Sequence, residues 1–112
     1  MLEALWSVQF QSNLGIQGAG VVVFETGRIF GGDSQYYYLG SATVRNDGKE
    51  VVAEVEVNHY AGQSFSIFGP MKKYKLRAVG NISTPKMTLQ GELVEDPSKK
   101  FIVILTKRAD LP

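Results

Sequence analysis

The chain has no cysteine, so disulfides, thiolate metal sites and cysteine nucleophiles are excluded, and a reducing, cytoplasmic setting is the expected one. No stretch reaches the roughly 20 apolar residues that a membrane helix needs. The opening Met-Leu-Glu-Ala-Leu-Trp-Ser has neither a basic segment nor a sustained apolar run, so it does not read as a secretory signal. Charge of one sign is also lacking. The net charge of +1 comes from acids and bases spread along the chain, which argues against a phosphate-binding surface and against nucleic acid as the partner. Helical periodicity is missing throughout. At 112 residues the sequence is expected to form one domain, residues 1–112, large enough to bury roughly two thirds of its unfolded surface.

What is present is alternation. Residues 3–11 set Trp6, Val8 and Phe10 against Leu5, Ser7, Gln9 and Gln11, a half-buried strand. A loop is expected over 13–18, then a short run at Gly20–Phe24 that is apolar on both faces. Glu25-Thr-Gly27 turns the chain into a third strand, Arg28–Gly32. Gly31 and Gly32 follow the β-prone Ile29-Phe30 and suggest a bulge or a close approach of strands. Asp33-Ser-Gln35 has the short polar side chains of a turn. After it Tyr36 and Tyr38 share one face and Tyr37 takes the other, one of the two being core.

A fourth strand over 37–44 leads to Arg45-Asn-Asp-Gly-Lys49, where Asp-Gly accepts the positive φ of a tight hairpin. In the fifth, Glu50–Tyr60, the odd positions Val51, Ala53, Val55, Val57 and His59 are expected to face the core. Residues 61–71 read as a loop that keeps apolar side chains, with room for one short helical turn. Lys73–Ile82 and Met87–Leu93 alternate again, with Tyr74, Leu76, Ala78 and Gly80, then Met87, Leu89, Gly91 and Leu93, on their apolar faces. Glu95–Lys100 reads as a turn and Phe101–Lys107 as the last strand. Eight strands joined by short turns predict an all-β fold, an antiparallel up-and-down barrel of the calycin or lipocalin type; a two-sheet sandwich is the alternative.

Candidate chemistry is sparse. His59 is the only imidazole and continues an apolar face, which favours a structural role over a base or ligand without partners. Asp33 follows two glycines, but no Gly-Lys-Ser/Thr and no helix follow, so turn chemistry outweighs a phosphate loop. Lys72, Lys73, Lys75 and Arg77 with Tyr74 superficially resemble a nucleic-acid strand. Cross-strand pairing with Glu54 and Glu56 explains them locally. Asn81-Ile-Ser83 matches a glycosylation acceptor by chance. No catalytic, metal or cofactor set remains, and the chain does not read as an enzyme.

Trp6-Ser7, Phe10–Asn13, Gly18-x-Gly20, Gly31-Gly32-Asp33, Tyr38-x-Gly40 and the Val55–Tyr60 strand together resemble the GrlR family, colinearly over residues 4–40 and more loosely through residue 60. The namesake represses by opposing an activator of a bacterial type III secretion locus. The resemblance implies an eight-stranded calycin-like barrel that can dimerise, with Gly31, Gly32, Asp33, Tyr38 and Gly40 as its structural motif. It also implies a regulator that holds a protein partner, such as a transcription factor, without itself binding DNA. The namesake carries alternating Glu and Asp at the hairpin matching 45–50; here Arg45 and Lys49 offset Asp47 and Glu50.

Two functions from different classes follow. One is a non-enzymatic, protein-binding regulator with Phe24, Tyr36, Tyr37, Phe65, Asp47 and Glu50 as candidate partner or dimer contacts. The other is a carrier or sensor holding a small hydrophobic ligand in the barrel. A continuous pocket of about 300 Å³ or more decides for the second, and a largely filled interior is expected. A homodimer is expected as well, because Val22, Phe24, Tyr37, Val52 and Tyr60 fall on faces opposite the anticipated core.

Overall fold

The computed structural model describes residues 2–112. Eight antiparallel strands follow in chain order: β1 (Ala4–Ser12), β2 (Gln17–Glu25), β3 (Arg28–Gly32), β4 (Tyr36–Arg45), β5 (Glu50–His59), β6 (Lys73–Asn81), β7 (Lys86–Leu93) and β8 (Asp96–Ala109). Each pairs with the next, and β8 pairs with β1, so the sheet closes as a meander barrel with no free edge. The β1–β2, β3–β4, β5–β6 and β7–β8 connections share one end, called the upper end here. The termini and the other three turns share the lower end.

Alternation decides which side chains enter the barrel. On β5, Val51, Ala53 and Val57 are buried and Val55 packs beside them, as their odd spacing requires. Tyr74 and Ala78 of β6, and Met87, Leu89 and Leu93 of β7, face the same interior. The basic outer face of β6 meets acids: Arg77 lies opposite Glu54, Lys75 lies opposite Glu56, and Lys73 Nζ is 3.6 Å from Glu56 Oε2. These pairs are exposed and contribute little net stability.

Several expectations are corrected. The chain is a regular ladder through Gly31 and Gly32, without a bulge. The close approach is real, however: a Cβ on Gly31 would come within 2.1 Å of the Val21 carbonyl oxygen, and one on Gly40 equally near that of Glu54. Only glycine lets the neighbouring strands lie so close. The 13–18 loop is shorter than expected, since β2 already begins at Gln17. Residues 96–100 belong to β8 rather than to a turn. Glu92 pairs with Lys100 while Leu93 pairs with Asp96, so the intervening residues bulge out, and Pro97 sits where no ladder hydrogen bond is demanded.

Val22 and Phe24 point into the barrel, not away from it, because their parity on β2 matches the inward positions of β1 and β3; Phe24 is only 3% exposed. Val52 does take the outer side, between Thr43 and Val79, yet it is buried there. The Asn46–Lys49 turn carries positive φ at Asn46, Asp47 and Gly48, conformations that Asn, Asp and Gly tolerate best.

A packed layer crosses the barrel around Trp6, and beneath it an open recess of about 430 Å³ lies at the lower mouth, lined by Leu2, Phe24, Ala42, Val44 and Ile82. Trp6 is 0% exposed, its indole N–H donates to the Leu2 carbonyl at 2.8 Å, and its ring tilts against Phe24 at 6.2 Å. Leu2, Ala4 and Val51 complete this floor.

Candidate functional site

The upper half is different: a cavity of about 380 Å³ opens there, contrary to the filled interior expected from the inward Tyr, Leu, Met and Phe residues. The residues responsible are small. On β2 the inward positions above Val22 are Gly20 and Gly18, facing Val8 and Phe10 of β1, so β2 sends no side chain into the upper section. A Cβ on Gly18 would meet the Phe10 ring, and one on Gly20 would meet the Tyr38 hydroxyl at 2.9 Å. Ala53 and Ala78 add little bulk on the opposite wall. Phe10, Val55, Leu76 and Val103 line the void and are therefore only partly buried, although all four point inward.

A long β5–β6 loop covers the opening. It is no helix: Ser66 and Gly69 form a narrow bridge, and Ile67 and Phe68 at its tip are driven into the barrel. Phe68 stands edge-on to Tyr74 and Phe101 at 5.9 and 6.1 Å. Ser12 Oγ donates to the Ile67 carbonyl at 2.5 Å, and the Tyr36 hydroxyl donates to the Met71 carbonyl at 2.6 Å, tying the loop to β1 and β4. His59 serves the same segment, its Nε2–H reaching the Gly62 carbonyl at 2.9 Å and its ring meeting Tyr36 edge-on.

Of the motif, Gly31 and Gly40 lie in the ladders against Val21 and Glu54, while Gly32 and Tyr38 meet at the mouth around Asp33. Its Oδ1 accepts the backbone N–H groups of Gln35 and Tyr36 at 2.8 Å, the side-chain turn that Asp33-Ser-Gln35 suggested. Its Oδ2 accepts the Tyr38 hydroxyl, and its carbonyl accepts the Tyr60 hydroxyl at 2.5 Å. Burial, then the hydrogen bond and charge of Asp33, raises the Tyr38 phenol far above its ordinary pKa. Burial likewise raises that of Tyr74. Both hydroxyls stay protonated at any physiological pH.

The candidate contact residues separate into three groups. Phe24 and Tyr36, each 3% exposed, are interior side chains that border the cavity and cannot anchor a partner on the outer surface. Tyr37 is 42% exposed on the outside, where it packs against Tyr60 at 6.2 Å. Phe65 is 55% exposed at the rim of the cavity itself. Asp47 and Glu50 lie at the opposite end of the barrel, and Glu50 is bound by Arg45 Nε and by Asn46 Nδ2 at 3.1 Å. Sequence reasoning missed the void itself, although the parity of Gly18 and Gly20 with Val22 was its one visible signal.

No family model and no curated protein matches the chain. Among solved structures the chain is similar to a redesigned β-barrel at 12% identity, with a TM-score of 0.50, over 96% of this chain and 91% of that one. That likeness establishes the fold alone, and the class is that of closed eight-stranded antiparallel barrels.

Proposed function

We propose that the protein binds a small, largely apolar molecule in the upper half of the barrel. The observation that carries this reading is the cavity of about 380 Å³, within the usual range of about 300–1,000 Å³ for ligand sites. Its walls are mainly aliphatic and aromatic, with a few polar groups gathered at the mouth, the pattern by which such sites combine affinity with orientation. The test is a thermal-shift series with straight-chain alcohols. A bound alcohol raises the unfolding midpoint in proportion to the logarithm of its concentration. Val55→Phe, which places a ring in the void, is expected to remove that response while keeping the barrel folded.

A second reading, a regulator that acts by protein contact as the GrlR resemblance implies, is favoured by the outer face of β2–β4. Val21, Phe30, Tyr37 and Leu39 are exposed there, with Phe30 directly opposite Leu39 and with Tyr60 beside Tyr37. Grouped exposed apolar side chains on one sheet face are what a protein contact uses. The occupant on this reading is a second copy of the chain, with a transcription factor as a further partner. Light scattering at high micromolar concentration that returned the monomer mass of 12.3 kDa would remove the homodimer.

A further inference from the structure

The chemistry of the cavity wall narrows the ligand, on the reading that the cavity is a binding site. Among the described residues Asp33 is the only charged one that lines it, and no lysine, arginine or histidine does. The nearest imidazole, His59, is spent on the Gly62 carbonyl. A carboxylate group offers about four lone-pair sites. Two on Asp33 are taken at Oδ1 by the Gln35 and Tyr36 N–H groups, and one at Oδ2 by the Tyr38 hydroxyl. One acceptor site on Oδ2 is left, on a residue that lines the void.

We infer that the cavity takes an apolar molecule whose single polar end donates hydrogen bonds, an amine above all and an alcohol next, and that it rejects carboxylates. An amine at the mouth meets Asp33 in a charge-assisted hydrogen bond, while its tail lies among Phe10, Val55, Leu76 and Val103. A fatty acid oriented the same way brings a second negative charge beside Asp33 and gives up its water without gaining a cation. Neutral donors also line the void, among them Gln17, Ser34, Gln35 and Tyr74, but without a cation they do not offset the charge of Asp33 beside a carboxylate.

The experiment is titration calorimetry of the whole chain at neutral pH with decylamine, decanol and decanoate, which share one tail. Decylamine is expected to bind at least about tenfold more tightly than decanoate, with decanol between them. Asp33→Asn keeps an oxygen acceptor for the Gln35 and Tyr36 N–H groups, so the turn survives, and it is expected to bring amine and carboxylate within about threefold of each other. Tyr38→Phe frees a second acceptor site on Oδ2 and is expected to widen the preference for the amine. Decanoate binding as well as decylamine to the parent chain, or a preference unchanged in Asp33→Asn, overturns the inference while leaving the cavity as a binding site. A narrower preference in Tyr38→Phe overturns it too. Absence of binding by all three molecules overturns the ligand-binding reading itself, and the inference with it.

Discussion

Two levels of this barrel are built from the same strands and by the same alternation, yet the layer around Trp6 is packed and the section above it is hollow, while a separate recess opens at the lower mouth. In the layer around Trp6 the side chains of Trp6, Phe24, Leu2 and Val51 pack together, and the indole N–H is satisfied within four residues of its own chain. Above that layer the inward positions of β2 are glycines, and the cavity there is bounded by a ring of polar contacts around Asp33 and by an inserted loop. The difference teaches that closure of an eight-stranded barrel sets a volume, while inward residue size at each level decides whether that volume is core or cavity.

Truncation should separate the two levels most sharply. Trp6→Ala removes a fully enclosed ring and its hydrogen bond, and is expected to cost about 3–5 kcal/mol in chemical denaturation. Phe10→Ala enlarges an existing void and is expected to cost about half as much. Equal losses would mean that the upper half is packed as tightly as the layer around Trp6 in solution.

Alkaline titration tests the upper half as a unit. Unfolded tyrosines ionise near pH about 10, whereas Tyr38 and Tyr74 are held well above that value, mainly by burial. A folded-state pKa above the unfolded one gives stability that is complete below pH about 10 and is lost as pH rises beyond it. Each of the two phenols therefore removes roughly 1.4 kcal/mol per pH unit above that point. Denaturation curves between pH 9 and about 11.5 should show this decline, and Tyr74→Phe should make it shallower.

The same enlargement on one strand gives a smaller contrast. Val51→Leu overpacks the floor and is expected to destabilise by about 1–3 kcal/mol. Val55→Leu, two positions along the same face of β5, extends into the void and is expected to change stability by less than about 1 kcal/mol. A reversed order would contradict the assignment of a packed layer and a hollow section above it. The smallest effect is expected outside the barrel: Glu50→Gln, which weakens the exposed pair with Arg45, should cost no more than about 1 kcal/mol.

Much of the fold was legible because it rests on local rules. The odd face of β5, the inward sets of β6 and β7, the Asp47-Gly48 turn and the Asp33 turn all follow from period-two alternation or from turn chemistry within a few residues. What escaped depends on more than one strand. On Gly20–Phe24 both faces are apolar, so polarity could not say that Val22 and Phe24 point inward; the register with β1 and β3 decides it. Tyr36 carries a hydroxyl that looks suited to a surface, but it is buried because its partner, the Met71 carbonyl, comes from a loop 35 residues away. The void escaped for the same reason, since glycines and alanines far apart in sequence become a cavity only when strand stagger brings them to one level. Asp-Pro-Ser at 96–98 reads as a turn locally, and only the pairing of Lys100 with Glu92 reveals a bulged strand.

The central claim is that the upper half of the barrel is a binding cavity and the layer around Trp6 and Val51 is core. The most direct measurement is methyl NMR of the labelled chain during titration with decanol. Saturable shifts among the methyls that line the cavity, Val55, Leu76 and Val103 included, with Val51 and the Trp6 indole unmoved, are the predicted result. Shifts that appeared instead on the outer residues Val21 and Leu39, or no saturable shift at any methyl, would contradict it.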